Sequence, residues 1–343
     1  MLVLGILLAG GLTLALVGTL YSRHLARAFG ERFKVPSYGD MHAMMRNEDI
    51  DVVSILTPSG LHAQHLLAIA PYKKHVVVEK PLHVAFELAT EGGAQHWRLL
   101  VVVEESATVT VVEEHPHGVP GYANGVAELH VGANARVEYV TIQNRCDEAL
   151  HFAFHRASVA RDAELDWAAC WLGSRLGKTW MQTELTGPGS TGKLTGFYVA
   201  DGDRHVDLDT TQEHRAPNAV SDLYFKGVLT DRGRSVWRGI ITVDEGAQGT
   251  DAYQQDRNLM LSPTAHADSI PGLEIKANDV RCTHGATISP VDRQLLFYLM
   301  SRGLPRPQAE RLIVDGFFAD VLARIVAEPV REAVGEALRA RLP

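Results

Sequence analysis

From about residue 98 to residue 288 the chain is a long series of short β-rich runs divided by turn residues, and no other feature limits its fold so strongly. Val101–Val103, Thr108–Val112, Ala127–Val131, Val137–Ile142, Leu194–Val199 and Ile240–Val243 are rich in β-branched and aromatic side chains, which fit a pleated surface. Gly, Asn and Asp punctuate them, as in Gly132-Ala133-Asn134 and Gly246-Ala247-Gln248. Strands and turns at quasi-regular spacing point to a sandwich, a barrel or a β-solenoid. No strict period is visible, so pattern alone does not choose among the three.

The flanks have a different texture. Residues 21 to about 95 alternate helix and strand: a helix over His24–Phe33, a strand over Val52–Leu56 ending in Thr57-Pro58-Ser59-Gly60, a helix over His62–Ala70 and a strand over His75–Val78. That order marks a parallel α/β unit. Helical texture returns at Ser289, where Ser289, Pro290 and Asp292 read as a capping box. Leu295, Leu296 and Leu299 form one face, and Gly303 is the stop. A second helix runs from Pro305 and Pro307 through Leu312, Ile313 and Phe317. A third opens at Pro329, with Val330, Val334 and Leu338 at i, i+4, i+8. Self-packing on the β-rich core is the expectation for this tail.

Leu2 to Leu20 carries no charge and is about long enough to cross a bilayer; Arg23, Arg27, Arg32 and Lys34 would then keep the rest in the cytoplasm. Gly5, Gly10, Gly11 and Gly18 interrupt the run, which equally reads as a buried strand followed by a broken helix. A membrane tether through residues 2–20 stays open, and no basic leader or cleavage site marks a secretory signal. With 33 Lys+Arg against 41 Asp+Glu, the net charge of −8 gives no footprint for nucleic acid. Cys146, Cys170 and Cys282 form no CxxC pair, which excludes a disulfide scaffold or a cysteine-only zinc site and fits a reducing, cytoplasmic compartment.

Four segments invite chemistry. Gly187-Pro188-Gly189-Ser190-Thr191-Gly192-Lys193-Leu194 nearly matches a phosphate-binding loop, but Leu194 stands where a hydroxyl must hold magnesium, and a strand follows. A turn between strands explains it. His151 and His155 share a face at strand spacing but lack a third ligand. Glu114-His115-Pro116-His117 reads as a solvated turn. Cys282 and His284, two apart in Arg281-Cys282-Thr283-His284-Gly285-Ala286-Thr287, share a strand face. They are a soft and a borderline metal ligand side by side, an activated thiol, or simply core residues.

That last block resembles a known family. Together with Gly272–Ile275, Asn278–Val280, Leu296–Leu299 and Ser301–Leu304, it is similar to the SufD branch of the SufB/SufD family of iron–sulfur cluster assembly scaffolds. Upstream, Gly196–Tyr198, His205–Asp207, Thr210–Thr211, Tyr224, Lys226–Val228 and Asn258–Ser262 follow in the family's order, so the resemblance covers residues 98–343. It implies a mainly β chain: a right-handed parallel β-helix over residues 98–290 and a C-terminal helical domain over residues 291–343. It further implies a SufB-like partner, a SufC-like ATPase docked on the terminal helices, and an iron–sulfur cluster held transiently at the partner interface. His284 matches the histidine implicated there, with Cys282 its neighbour. Asp209 stands where the family often has histidine. A reduced flavin (FAD) is associated with the assembled complex, although no flavin motif is present here.

The N-terminal part resembles another family. Ile50–Ala63 and His75–Leu82 are similar to Gfo/Idh/MocA sugar oxidoreductases, in which the Glu-Lys-Pro lysine, here Lys80, lies near nicotinamide and substrate. The likeness spans residues 22–85 within a partial Rossmann-like α/β segment, residues 1–95. Gly5 and Gly10-Gly11 lack the G-x-G-x-x-G spacing, no ribose-binding acid appears near Tyr21-Ser22, and the family's catalytic domain is replaced. The expectation is therefore no NAD binding and no hydride transfer. Two such halves in one chain read as a fusion or a composite gene. Function on this reading is a non-enzymatic assembly scaffold; the alternative is an incomplete NAD(P)-dependent sugar oxidoreductase.

Overall fold

The computed structural model describes residues 82–341 without a break and, before them, residues 2–6, 14–18, 31, 37–38, 40–47, 52–56, 62–73 and 75–78. The chain forms two compact units, residues 1–83 with 107–111, and residues 84–106 with 112–343.

In the first unit β1 (Leu2–Ile6), β2 (Leu14–Gly18), β3 (Ser37–Tyr38), β4 (Val52–Leu56) and β5 (His75–Val78) make one sheet in the order β3-β2-β1-β4-β5. Helix α1 (Met41–Asn47) starts where Asp40 accepts the His42 and Ala43 amide protons, and it buries Met44 and Met45. Helix α2 (His62–Ile69) lies in sequence between β4 and β5, which pair in parallel as a strand–helix–strand unit should. β1 departs from the parallel expectation, because it runs antiparallel to both β2 and β4. β2 also stands where a broken helix was one reading, so both described stretches of the uncharged run are strands. Among the described residues no helix is long and apolar enough to cross a membrane. The His24–Phe33 helix (Glu31 apart), the Thr57–Gly60 turn, Gly10-Gly11, Tyr21-Ser22 and Lys80 lie outside the described residues.

From Leu82 to Pro290 the strands form a parallel β-solenoid of about seven turns. Each turn contributes a strand to each of two sheets. One sheet contains β6 (Leu82–Ala85), β8 (Thr108–His115), β10 (Arg136–Gln143), β12 (Glu164–Trp171), β14 (Thr191–Ala200), β16 (Val220–Leu229), β18 (Thr250–Met260) and β20 (Val280–Pro290). The other contains β7 (Gly93–Val103), β9 (Gly121–Val131), β11 (Leu150–Val159), β13 (Leu176–Leu185), β15 (His205–His214), β17 (Arg234–Val243) and β19 (His266–Ile275). All six β-rich runs picked out in the sequence fall inside these strands. Along one ladder Leu150 lies beside Leu176, then His205, Arg234 and His266. The interval varies along this ladder from 26 residues at Leu150–Leu176 to 32 at Arg234–His266, which is why no strict period shows. Asn134, Asp162, Asn218 and Asp231 take the corners at φ 55°, 55°, 58° and 50°, the left-handed region where Asn and Asp are tolerated best after Gly.

Burial separates the two sheets. β15 alternates strictly between buried and partly exposed residues, the mark of one covered face. β14 and β16 are buried along almost their whole length. Their outer face is covered by the C-terminal helices α3 (Arg293–Ser301), α4 (Arg306–Ala323) and α5 (Glu328–Arg341), chiefly the last two. Val314, Phe318 and Val321 of α4 and Val330, Val334 and Leu338 of α5 pack against Val140, Ile142, Cys170, Phe197, Val199 and Val228. The expected self-packing of the tail is thus observed, on a sheet face. The capping box is not. Asp292 alone caps α3 by accepting the Gln294 and Leu295 amide protons, because β20 runs on through Pro290, paired with Met260. Lys226 Nζ donates to Phe317 O at 2.5 Å and to Asp320 Oδ1 at 2.7 Å, pinning α4 to β16.

Phe318 is fully buried against Phe197, with ring centroids 5.7 Å apart. Phe318→Ala is expected to lose about 3–5 kcal/mol of unfolding free energy, read by denaturant melts. Phe297→Ala, on a side chain 74% exposed, should change it by about 0.5 kcal/mol or less.

Candidate functional site

Parallel stacking determines where Cys282 and His284 lie. Both are on β20, the last strand of its sheet, which pairs only with β18. Going back through the turns, the ladder under Cys282 is Ala252, Ser221, Gly192, Leu165 and Val137. The ladder under His284 is Gln254, Leu223, Leu194, Trp167 and Tyr139. These are interior positions, buried because the next turn covers them. No turn follows β20, so the two interior ladders end in an exposed His284 and a half-buried Cys282 that still packs against the buried cluster of Ile241, Val243, Ala247, Ala252 and Ala277. The shared strand face expected from their spacing is present, and the core reading does not hold for His284.

Burial, with the charge of Asp251, pushes the Cys282 thiol up, so it rests protonated and is a poor nucleophile. Of the sequence readings, this weakens the activated thiol. Two donors do not complete a site, and among the described residues no group of three or more His, Cys, Asp or Glu can hold a metal ion. The last turn is suited to meeting another surface: β19 and β20 are both sheet edges, and Ile270, Leu273, Ile275 and Ile288 are exposed on them. Among the helices, α3 exposes Leu295, Phe297, Tyr298 and Met300.

The remaining sequence candidates have structural places. Gly187–Ser190 is a corner leading into β14, and Lys193 Nζ donates to Glu164 at 2.7 Å. Asp209 faces outward on β15, paired with Lys178 and Arg238. His151 and His155 do share a face of β11, but it is the interior one. There they join a network whose hub the sequence did not reveal. Glu113 Oε1 lies 2.7 Å from His115 Nε2 and 3.3 Å from His155 Nε2, and Oε2 accepts from the Tyr139 hydroxyl. Arg145 donates to the Nδ1 atoms of His115 and His151, at 3.1 and 3.3 Å. Burial alone would raise the Glu113 carboxyl, but His155 and His115 outweigh it and hold it below the ordinary carboxylate range. Burial holds His115 and His151 down, so both stay neutral acceptors. The solvated-turn reading of Glu114–His117 therefore fails at His115, which is fully buried at the end of β8. Its alternation with Glu113 is the one signal that could have found it.

Comparison with known proteins adds the following. A family model described as "SUF system FeS cluster assembly, SufBD core domain" matches residues 86–317, and one described as "Oxidoreductase family, NAD-binding Rossmann fold" matches residues 13–115. An iron–sulfur cluster assembly SufBD family protein of Mycobacterium tuberculosis is 33% identical over 273 residues, covering 77% of this chain and 68% of the relative. The iron–sulfur cluster assembly protein SufD of Bacillus subtilis is 31% identical over 263 residues, 76% of this chain and 60% of the relative. A SufBD family protein of Mycobacterium leprae is 31% identical over 273 residues, 77% and 69%.

Thiol labelling checks the geometry: a maleimide should modify Cys282 in the folded chain, more slowly than a free thiol, and buried Cys146 and Cys170 only after denaturation. Interior histidines set a pH limit. Burial lowers His214 to about 4, whereas an unfolded histidine titrates near 6.5. Its contribution is complete above pH 6.5 and is lost as pH falls toward 4. The stability gap between the wild-type chain and His214→Gln should therefore shrink by up to about 1.4 kcal/mol per pH unit in that window, read by denaturant melts at each pH.

Proposed function

Because the chain belongs to the SufBD family of iron–sulfur cluster assembly proteins, we propose that it works as a SufD-type scaffold subunit rather than as an enzyme. The observation that carries this reading is the open end of the solenoid, where two interior ladders terminate in Cys282 and His284 at the solvent boundary. The cluster is cargo. His284 offers an imidazole nitrogen to iron; Cys282 adds a thiolate once the metal displaces its proton. A SufB-like subunit supplies the remaining ligands across the edge strands β19 and β20, and covering their apolar side chains excludes water from the nascent cluster. A SufC-like ATPase docks on the C-terminal helices, for which the exposed Phe297 and Tyr298 of α3 are the natural anchors. Cytoplasmic residence and a flavin in the assembled complex belong to the same proposal.

Co-expression tests it. The chain should co-purify with SufB- and SufC-like proteins, and His284→Ala should leave that complex intact while abolishing cluster transfer to an apo-ferredoxin. Full transfer without His284 would refute the site assignment. The oxidoreductase alternative draws on the match at residues 13–115, but the Gly-rich turn lacks its spacing and β1 runs against its neighbours. Titration with NADH should accordingly produce no saturable blue-shifted fluorescence. Micromolar saturation would restore that reading.

A further inference from the structure

The outer face under the C-terminal helices changes character along its strands. Toward the strand ends it is apolar, but one row across it reads Glu138, Asp166, Lys193 and Asp222, each the ladder neighbour of the next. Two members of this row hold the corner where α4 ends and α5 begins. Glu138 Oε1 accepts the amide protons of Val326 at 2.8 Å and Ala327 at 2.9 Å, so a strand side chain caps α5. Asp222 Oδ2 pairs with Arg324 Nη1 at 3.0 Å. Asp166 stands between these two holds, half-buried and next to the capping carboxylate.

We propose that Glu138 and Asp166 form a proton-operated latch that sets how firmly the α4–α5 corner is held on the solenoid. The charged groups acting on Asp166 are Lys193 from β14, Glu138 from β10, Glu164 from its own strand and Arg324 just beyond α4, with Asp222 of β16 the next member of the row. Lys193 is committed to Glu164 at 2.7 Å. Burial, then the charges of Glu138 and Glu164 against those of Lys193 and Arg324, raises the Asp166 carboxyl from 3.8 to about 6. When the corner lifts, water reaches Asp166 and its ordinary acidity returns. The attached state therefore binds the proton more tightly, and proton binding favours attachment by the same factor. The proton's contribution to attachment is complete below pH 3.8 and is lost as pH rises from there through about 6. In the neutral form Asp166 no longer repels the carboxylate that caps α5.

Hydrogen–deuterium exchange of the Val326 and Ala327 amides in the full-length chain tests the latch. After correction for intrinsic exchange, protection should be about tenfold greater at pH 5 than at pH 7. Asp166→Asn should remove that dependence, and Glu138→Gln should lower protection at both pH values. Amides of β15, far from the corner, report whether each variant keeps its fold. An unchanged pH dependence in Asp166→Asn, or none in the wild-type chain, overturns the proposal.

Discussion

Every turn of the solenoid depends on the turn beside it, because a parallel strand satisfies its backbone groups only when another lies in register on each side. The same stacking turns interior positions into columns, so a residue's surroundings follow from its place in a column more than from its neighbours in sequence. The columns through Tyr139 and Val137 run buried across the five strands from β10 to β18. They stop at His284 and Cys282 because the stacking stops. Exposure of a histidine and a thiol on an inward-facing ladder is thus a direct result of chain termination of the solenoid, with no special loop required.

The two sheet faces divide the remaining work. The face covered by α4 and α5 is apolar where the helices lie flat and charged where the chain turns between them, which anchors the tail by packing and orients it by hydrogen bonds. The interior is not uniformly apolar. Near the first turns it holds Glu113, Arg145 and three histidines, with Arg145 and Glu113 placed on opposite sides of the His115 ring. Buried charges persist where hydrogen bonds and opposite charges offset their desolvation, and the bonds to Glu113 tie β8, β10 and β11 into one arrangement.

Much of the fold could be read directly. The six β-rich runs, the Asn and Asp turns, the α2 strand–helix–strand unit and the apolar stripe Val330, Val334, Leu338 all depend on local pattern, which adjacent residues carry. The misreadings have a common cause. β1 takes its direction from pairing, Ser289 loses its capping role because β20 extends through Pro290, and His115 is buried by strands distant in sequence. In each case a non-local partner overrode a sound local signal.

The amino-acid sequence by itself determined the β-rich character, the helical tail, the pairing of Cys282 with His284 on one strand face, and the family likeness, since these reside in short-range periodicity and motif. Strand pattern left sandwich, barrel and solenoid open, and the family likeness pointed to the parallel β-helix that the structure shows; only the tertiary structure decided that His284 ends an interior column at an open edge and that Glu113 gathers a buried network. Those outcomes depend on contacts between residues about thirty positions apart, at an interval that drifts from turn to turn. A drifting interval leaves no period in the sequence, and backbone pairing alone keeps the columns in line.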